Sequence, residues 1–262
     1  MRSSIALTTA LGAIATLAAP TWPSLNENAV QPGALATVSE YFNMLAAKVQ
    51  ESRSMAVAPV CDLSTVQMPE APVPLPAVSA GLTLKHVAVG RGTQNYTCDT
   101  TNATAAPVQI GAMATLFNAS CLISSYPDLA NIITKMALQF TLTEEETTLG
   151  PSNLAISGTH FFTNTTTPFF NLDRPNLQLG EAGCTKLNAT NAPADATKGT
   201  DNSTAVAWLK LATRTGATGD LEEVYRVQTA GGSAPATCAG MPASFEVQYS
   251  AQYFFWAGAE SS

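Results

Sequence analysis

LTLKHVAVGRGTQNYTC, residues 82–98, is the stretch of this 262-residue chain that decides its fold. Side chains of an extended strand point alternately to the two faces of a sheet. The first half of the stretch therefore predicts a strand with Leu84, His86 and Ala88 on one face. Glycine weakens the interior of a strand, so Gly90-Arg91-Gly92 predicts a break before a second strand.

The second half of the stretch places Gln94, Tyr96 and Cys98 on one face and Asn95 on the other. Asn95 begins the glycosylation sequon Asn-Tyr-Thr, so its face is expected to point to solvent while Tyr96 points inward. His86 lies among aliphatic residues. It is therefore predicted to be a hydrogen-bonded core histidine and not a ligand.

The rest of the chain continues as short strands separated by turns. Alternating apolar residues predict strands over residues 108–116, 154–162, 205–213, 221–229 and 245–256. Apolar residues at helical spacing predict helices over residues 36–53 and 126–140. Residues 180–204, rich in Thr, Asn and Ala, are predicted to form a surface insertion. The expected fold class is mainly β, a β-sandwich or distorted barrel with one or two packed helices.

The N-terminus carries the pattern of a secretory signal peptide. Arg2 precedes an uncharged apolar run over residues 5–17, and small residues stand where cleavage would occur. We expect residues 1–18 to be the signal peptide, residues 19–60 an N-terminal helix with a proline-rich linker, and residues 61–258 a single β-rich domain. The apolar run is shorter than the about 20 residues of a membrane span, so no span is expected.

Charge and sugar indicate the setting in which the protein works. The formal net charge is −7, and only 12% of the residues are charged. Nucleic acids and anionic membranes bind clustered Lys and Arg, so neither is expected as a partner. Six sequons indicate a secreted eukaryotic glycoprotein, extracellular or in the cell wall: Asn95, Asn102, Asn118, Asn164, Asn188 and Asn202.

The five cysteines predict two disulfides and one unpaired thiol. Their spacing leaves the connectivity open, and our working pairing is Cys98 with Cys121 and Cys61 with Cys238. Cys184 is then the unpaired residue. Without a C-x-x-C pair, a zinc site is not expected.

Several longer motifs resemble the DUF3455 family, a domain of unknown function found in secreted fungal proteins. The resemblance is carried by residues 82–98, Gly158-Thr-His160 with Pro168-Phe-Phe170, Trp208-Leu-Lys210, and residues 224–238 and 247–255. The resemblance implies no established activity. Cys184 lies outside the shared pattern, which agrees with its assignment as the unpaired thiol.

Members of that family are sometimes labelled malate dehydrogenase, and the sequence argues against this activity. Dinucleotide binding uses G-x-G-x-x-G between a strand and a helix. Here the segment Gly90-Arg-Gly92-Thr-Gln-Asn95 lacks the third glycine and leads into a second strand. No cofactor is expected. No metal is expected either, because His86 and His160 stand in none of the usual ligand spacings.

One set of residues forms a candidate binding site. Polar side chains that alternate with apolar ones are expected to line one concave face: His160, Gln94, Tyr96, Lys210 and Arg226. Four aromatic residues could stack on sugar rings if they were exposed: Tyr96, Trp208, Tyr225 and Trp256.

These observations lead to an expected function and an alternative. We expect a non-catalytic surface or binding role, with cell-wall or host carbohydrate as the partner and no catalytic residue. The alternative is an extracellular hydrolase acting on cell-wall or plant polymer. A hydrolase would need two carboxylates across a cleft, such as Asp173 and Glu246, or a histidine such as His160. Ser233 does not stand in the nucleophile motif G-x-S-x-G.

Overall fold

The computed structural model describes residues 34–55, 60–140 and 148–259. The predicted signal peptide, residues 1–18, lies outside these ranges, as do the acidic residues 144–146. In the described chain, eight antiparallel strands each pair with the next, and the last pairs with the first, closing a barrel. The strands are β1 (Thr83–Thr97), β2 (Val108–Asn118), β3 (Ile156–Asn164), β4 (Thr167–Arg174), β5 (Leu177–Thr190), β6 (Trp208–Thr213), β7 (Leu221–Gly231) and β8 (Ser244–Ala257).

Among the described residues, three α-helices lie outside the barrel: α1 (Ala34–Ser54), α2 (Ser120–Ser125) and α3 (Pro127–Met136). The prediction of a mainly β fold with few helices is confirmed, and the sheet closes as a barrel. No helix in the described ranges is long and apolar enough to cross a membrane.

The predicted break at Gly90-Arg91-Gly92 is wrong, because β1 runs through it without interruption. A Cβ atom on Gly90 would lie 2.5 Å from Cε2 of Tyr253, so the glycine makes room for a tyrosine ring inside the barrel. Arg91 points outward, where its Nε donates to the carbonyl oxygen of Ala137 (3.1 Å). The segment is therefore part of a continuous strand, in which Gly90 allows close packing of the Tyr253 ring, and it is not a turn.

The inner face of β8 agrees with the predicted alternation. Tyr249, Ala251, Tyr253 and Phe255 are all buried in the barrel core. On the opposite face, the polar residues Ser250 and Gln252 are also buried, because α3 covers them. Both side chains form hydrogen bonds with α3. Ser250 donates to the carbonyl of Thr134 (2.6 Å), and Gln252 donates to the side chain of Asn131 (2.9 Å).

A proline-rich strap, residues 66–79, crosses the outer face of β6 and β7. It covers an apolar cluster that includes Trp208, Tyr225 and Phe254. The strap is held by a buried ion pair between Lys210 and Glu223 (2.9 Å). Lys210 also donates to the carbonyl of Ala77 (2.7 Å), and Glu223 accepts from the Ser79 hydroxyl (2.6 Å).

The disulfides join Cys61 to Cys121 and Cys98 to Cys238, so the working pairing is wrong. The antiparallel register explains why. Cys98 follows the end of β1, and Cys121 follows the end of β2, at the opposite end of the barrel. The predictions that these four cysteines are paired and that Cys184 is free are confirmed.

The predicted surface insertion over residues 180–204 is wrong in its first half. Strand β5 continues to Thr190 and pairs with β4 and then with β6. Ala182 and Cys184 fill the barrel interior, whereas residues 185–189 are exposed. Exposed Thr, Asn and Ala residues gave this half of the strand the composition of a loop.

Candidate functional site

The interior of the barrel holds a cavity of about 580 Å³. Its mouth is at the barrel end where β1 finishes, because the exposed lining residues lie there: Gln109, Thr165, Thr166, Lys186 and Ala189. Deeper lining residues are buried: His160, Phe170, Leu211, Arg226 and Tyr253. The cavity is therefore a one-ended space with an apolar body and a few polar groups.

Aromatic rings form one wall of the cavity. The rings of His160 and Phe170 stack with centroids 4.4 Å apart. Tyr253 meets Phe170 edge to face at 5.6 Å. Such a wall offers flat apolar area to a ligand at low entropic cost.

His160 is neutral in this environment. Burial lowers its pKa from 6.5 to about 4, and the charge of Arg226 lowers it as well, although the Phe169 carbonyl raises it. The Nδ1 atom lies 2.9 Å from that carbonyl oxygen, which can only accept, so Nδ1 carries the proton. The Nε2 atom then has a lone pair, suited to accept a hydrogen bond from a ligand.

Arg226 enters the barrel from β7 and is only 6% exposed. Its Nη2 donates to the carbonyl of Ala207 (2.9 Å), and its guanidinium lies 6.0 Å from the Tyr249 ring centroid. Its Nε is buried and has no hydrogen-bond partner in the described chain. None of the described residues that line the cavity is Asp or Glu. The described lining of the cavity therefore contains a buried cation and no acidic residue to neutralise it.

Two tyrosines extend the polar part of the site. The hydroxyls of Tyr249 and Tyr253 lie 2.7 Å apart. Burial raises the pKa of both phenols above 10.0, so both are neutral at physiological pH. The guanidinium of Arg226 lies beside the Tyr249 ring, and its charge lowers both pKa values.

The structure brings four of the five predicted binding residues together. His160, Tyr96 and Arg226 line the cavity, and Gln94 is buried next to it, accepting from Gln109. The prediction that Lys210 lines the same face as His160 is wrong. On β6, Leu209 and Leu211 face the cavity, so Lys210 between them points to the outer face and pairs with Glu223.

A loop over residues 232–243 covers part of the mouth, and its residues Ser233 and Ala234 line the cavity. The disulfide between Cys98 and Cys238 ties this loop to the end of β1. Tyr96 adds a second tie, because its hydroxyl donates to the carbonyl of Gly232 (2.8 Å). The mouth loop is thus fixed by covalent and polar contacts.

The four aromatic residues considered for sugar stacking do not form an exposed platform. Trp208 and Tyr225 are buried under the proline-rich strap, and Trp256 packs beside them. Tyr96 is buried at the cavity. These four side chains therefore do not support the stacking of sugar rings on an outer face of the barrel.

The residues considered for hydrolysis are not assembled either. Asp173 accepts a hydrogen bond from the backbone N–H of Gly180 (2.7 Å) on β5. Glu246 is exposed on β8, which is not adjacent to β4. Neither lines the cavity. In the described ranges, no group of three His, Cys, Asp or Glu residues could hold a metal ion.

His86 fills the closed end of the barrel, and its prediction as a core histidine is confirmed. Its Nδ1 and Nε2 atoms each lie 2.9 Å from a serine hydroxyl, of Ser120 and Ser157. Burial lowers its pKa to about 4. It stacks on Phe255, and neither residue lines the cavity.

We expect acid to destabilise the fold through the two buried histidines. Each has a folded pKa of about 4, against 6.5 ordinarily, so the unfolded chain binds the proton more readily. The contribution of the two neutral histidines to the free energy of unfolding is complete above pH 6.5. It is lost as the pH falls towards 4, by about 3 kcal/mol for each histidine. Urea unfolding across this range measures the loss.

Replacing one histidine tests whether the two buried histidines cause the loss of stability in acid. His86→Gln should be less stable at neutral pH but should lose less stability on acidification than the wild type. A loss on acidification that is the same in His86→Gln, His160→Gln and the wild type would contradict it.

The sequons are predicted to differ in occupancy. Asn118 is half-buried, and its Oδ1 accepts from the backbone N–H of Ser120 (3.1 Å). The Ser120 hydroxyl is itself bound to His86. We therefore expect Asn118 to be unmodified, and four exposed asparagines to carry glycans: Asn102, Asn164, Asn188 and Asn202.

Peptide mass spectrometry after enzymatic deglycosylation of protein secreted by a eukaryotic host measures this occupancy. A glycan found on Asn118 in folded protein would contradict the expected pattern. Asn95 lies half-buried on the outer face of β1, where its Oδ1 accepts from Thr93 (3.3 Å).

Three residues were not assigned to the site from the sequence: Phe170 and Tyr253, which line the cavity, and Tyr249, which is buried beside Tyr253. A signal for two of them was present, because Tyr249 and Tyr253 share the inward face predicted for residues 245–256. Phe170 lies on β4, which was not predicted as a strand. Only the closed barrel brings Phe170 and Tyr253 into one cavity with Arg226 and places Tyr249 beside its guanidinium.

Comparison with known proteins gives a family but no described relative. A family model described as "Protein of unknown function (DUF3455)" matches residues 78–257, more than half of the chain. This range contains all eight strands of the barrel. The comparisons with curated proteins and with solved structures each gave no match.

Proposed function

Because this chain belongs to the DUF3455 family, whose function is unknown, we propose a function from the barrel itself: a non-catalytic protein that binds a small molecule inside the cavity. The main observation in support of this function is the cavity of about 580 Å³. Small-molecule sites occupy about 300–1,000 Å³ and combine apolar walls with a few polar groups. Here Phe170 and Tyr253 provide the walls, and His160 and Arg226 provide the polar groups.

We propose that the protein acts outside the cell, in the medium or the cell wall. Two disulfides support this, because such bonds persist in oxidising compartments. The sequons and the signal-peptide pattern support it as well.

The geometry narrows the proposed partner from a polymer to a small molecule. The cavity opens at one end, and the buried His86, Ser120 and Ser157 fill the other. A long polysaccharide needs an open groove, whereas this site receives a compound that enters through one mouth. Cell-wall or host carbohydrate stays within the proposal as a short saccharide.

The alternative function is an extracellular hydrolase. In its favour, His160 and Ser233 line the same cavity. Against it, Nδ1 of His160 bonds to the backbone carbonyl of Phe169 and not to a carboxylate that would stabilise an imidazolium. The low pKa of His160 also makes it a weak base. We therefore place this function second.

A thermal-shift screen of metabolites and short saccharides on the deglycosylated protein tests the proposal. Ala189→Trp narrows the mouth, and Ala47→Trp, on the exposed surface of α1, is its matched control. A true ligand at 100 times its Kd should raise the Tm of wild type and Ala47→Trp by about 5–10 °C. It should raise that of Ala189→Trp much less.

Two results would contradict the proposed function. One is that no compound stabilises the protein, or that each stabilises Ala189→Trp as much as the wild type. The other is turnover of a hydrolase substrate that disappears in His160→Ala, which would establish the alternative.

A further inference from the structure

We propose that the ligand of the barrel cavity carries a carboxylate that binds Arg226, on a flat apolar body that lies against the aromatic wall. This inference rests on the proposed function. It starts from the charge of the cavity. Arg226 is buried inside the barrel, and the described lining residues include no acid.

The other buried cations of the barrel show how this protein normally treats such charges. Lys210 pairs with Glu223 at 2.9 Å. Arg91 donates through three of its nitrogens, to Ala137, Gly92 and Gln248. Both cations lie on the outer face of the barrel under covering elements, and both have their hydrogen-bonding needs met.

Arg226 is the exception among these cations. Its Nε is buried and makes no hydrogen bond within the described chain. An unpaired charge away from water is costly, so buried charges are usually paired or bound to an ion. The side chain lines a cavity, which leaves room for the missing partner. An anionic ligand would complete the site.

The shape of the two surfaces indicates the kind of anion. A guanidinium group is planar and binds a carboxylate through two parallel hydrogen bonds. Phe170 and Tyr253 provide aromatic surface near it, and Leu211 adds aliphatic surface. Lys186 at the mouth adds a second positive charge on the entry path. A small aromatic acid satisfies all of these features.

A pair of fluorescent probes tests the inference. 2-Naphthoate and 2-naphthamide have the same ring system and nearly the same shape, but only the first is charged. Hydrogen bonds to charged groups differ from neutral ones enough to change affinity by about 10- to 100-fold. We expect wild type to bind the naphthoate tighter than the naphthamide by that factor.

Arg226→Met should abolish this preference while the naphthamide affinity changes little. Arg214→Met is the matched control, because Arg214 is exposed at the opposite end of the barrel, and it should behave as wild type. Arg226→Met should fold, since it replaces a buried unpaired charge with an apolar side chain of similar length. Circular dichroism and the Tm check this.

The outcomes separate the inference from the proposed function. Equal affinities for the two probes in wild type, or a preference that persists in Arg226→Met, would overturn the carboxylate while leaving binding in the cavity intact. If neither probe binds, the flat aromatic acid is overturned, and the proposed function stands or falls by the screen of metabolites and short saccharides. If both probes bind Ala189→Trp as well as wild type, the cavity is not the site, and both proposals fail.

Discussion

Removal of the disulfide between Cys98 and Cys238, by replacing both with alanine, is expected to lower the free energy of unfolding by about 4–5 kcal/mol. The two cysteines are 140 residues apart, so the bond closes a large loop and strongly restricts the unfolded chain. Urea or thermal unfolding under non-reducing conditions measures the loss.

The same change should weaken ligand binding. This disulfide ties the loop over residues 232–243 to the end of β1, and that loop contributes Ser233 and Ala234 to the cavity lining. Without the bond, the loop is held mainly by hydrogen bonds, such as those of Tyr96 and Cys238 to backbone carbonyls. Ordering it on binding then costs free energy that the wild type has already supplied.

The other disulfide provides the matched control. Cys61 and Cys121 are 60 residues apart, so replacing both should cost about 4 kcal/mol, nearly as much. That bond attaches the segment before the strap to α2 and does not touch the cavity mouth. Both double variants should lose stability, but only Cys98→Ala/Cys238→Ala should lose affinity. Equal effects on affinity would contradict this assignment.

Glu223→Ala is expected to cost about 3–5 kcal/mol, because it leaves Lys210 buried without its partner. Lys210 and Glu223 are each only 5% exposed as whole residues. Burial raises the pKa of Glu223, but hydrogen bonds from Ser79 and Lys210 lower it by more. The net pKa is below the ordinary value, so the carboxylate is ionised. Tyr225 also donates to this carboxylate (3.4 Å).

Detachment of the proline-rich strap is the second readout of this substitution. Limited proteolysis should cut residues 66–79 much faster in Glu223→Ala than in the wild type, because Ser79 loses its acceptor. Glu222→Ala removes an exposed carboxylate one position away on the same strand and should change neither quantity by much. Lys210→Met/Glu223→Leu, which removes both charges, should be more stable than Glu223→Ala. A double variant no more stable than the single one would contradict the pairing argument.

The alternating strands were the part of the fold that could be predicted from local pattern. Residues 245–256 alternate apolar and polar side chains, and the apolar set does face the barrel core. Residues 36–53 and 126–140 show helical spacing and correspond to α1 and α3. These features depend on near neighbours in the sequence, which a local pattern captures.

The predictions failed where a distant residue decides the local structure. Gly90 and Gly92 look like a turn, but Gly90 leaves space for the ring of Tyr253, which is more than 150 positions away. A Cβ on Gly92 would lie 1.9 Å from the backbone oxygen of Met113 on β2. A glycine required by close approach and a glycine required by a turn are identical in the sequence.

The polar lining of the candidate site could be predicted in part, but its aromatic wall and its geometry could not. Polar residues within apolar runs identified Arg226 and His160, which meet in the cavity. The same pattern also selected Lys210, because alternation does not say which face is inside. Only the register of β6 against β7, with Lys210 opposite Tyr225, places it on the outer face.

The crystal structure of the protein grown with 2-naphthoate tests the central claim most directly. We predict the naphthoate inside the barrel, with its carboxylate about 3 Å from the guanidinium of Arg226 and its rings against Phe170 and Tyr253. Naphthoate found only on the outer surface, with the barrel cavity holding water alone, would contradict the account.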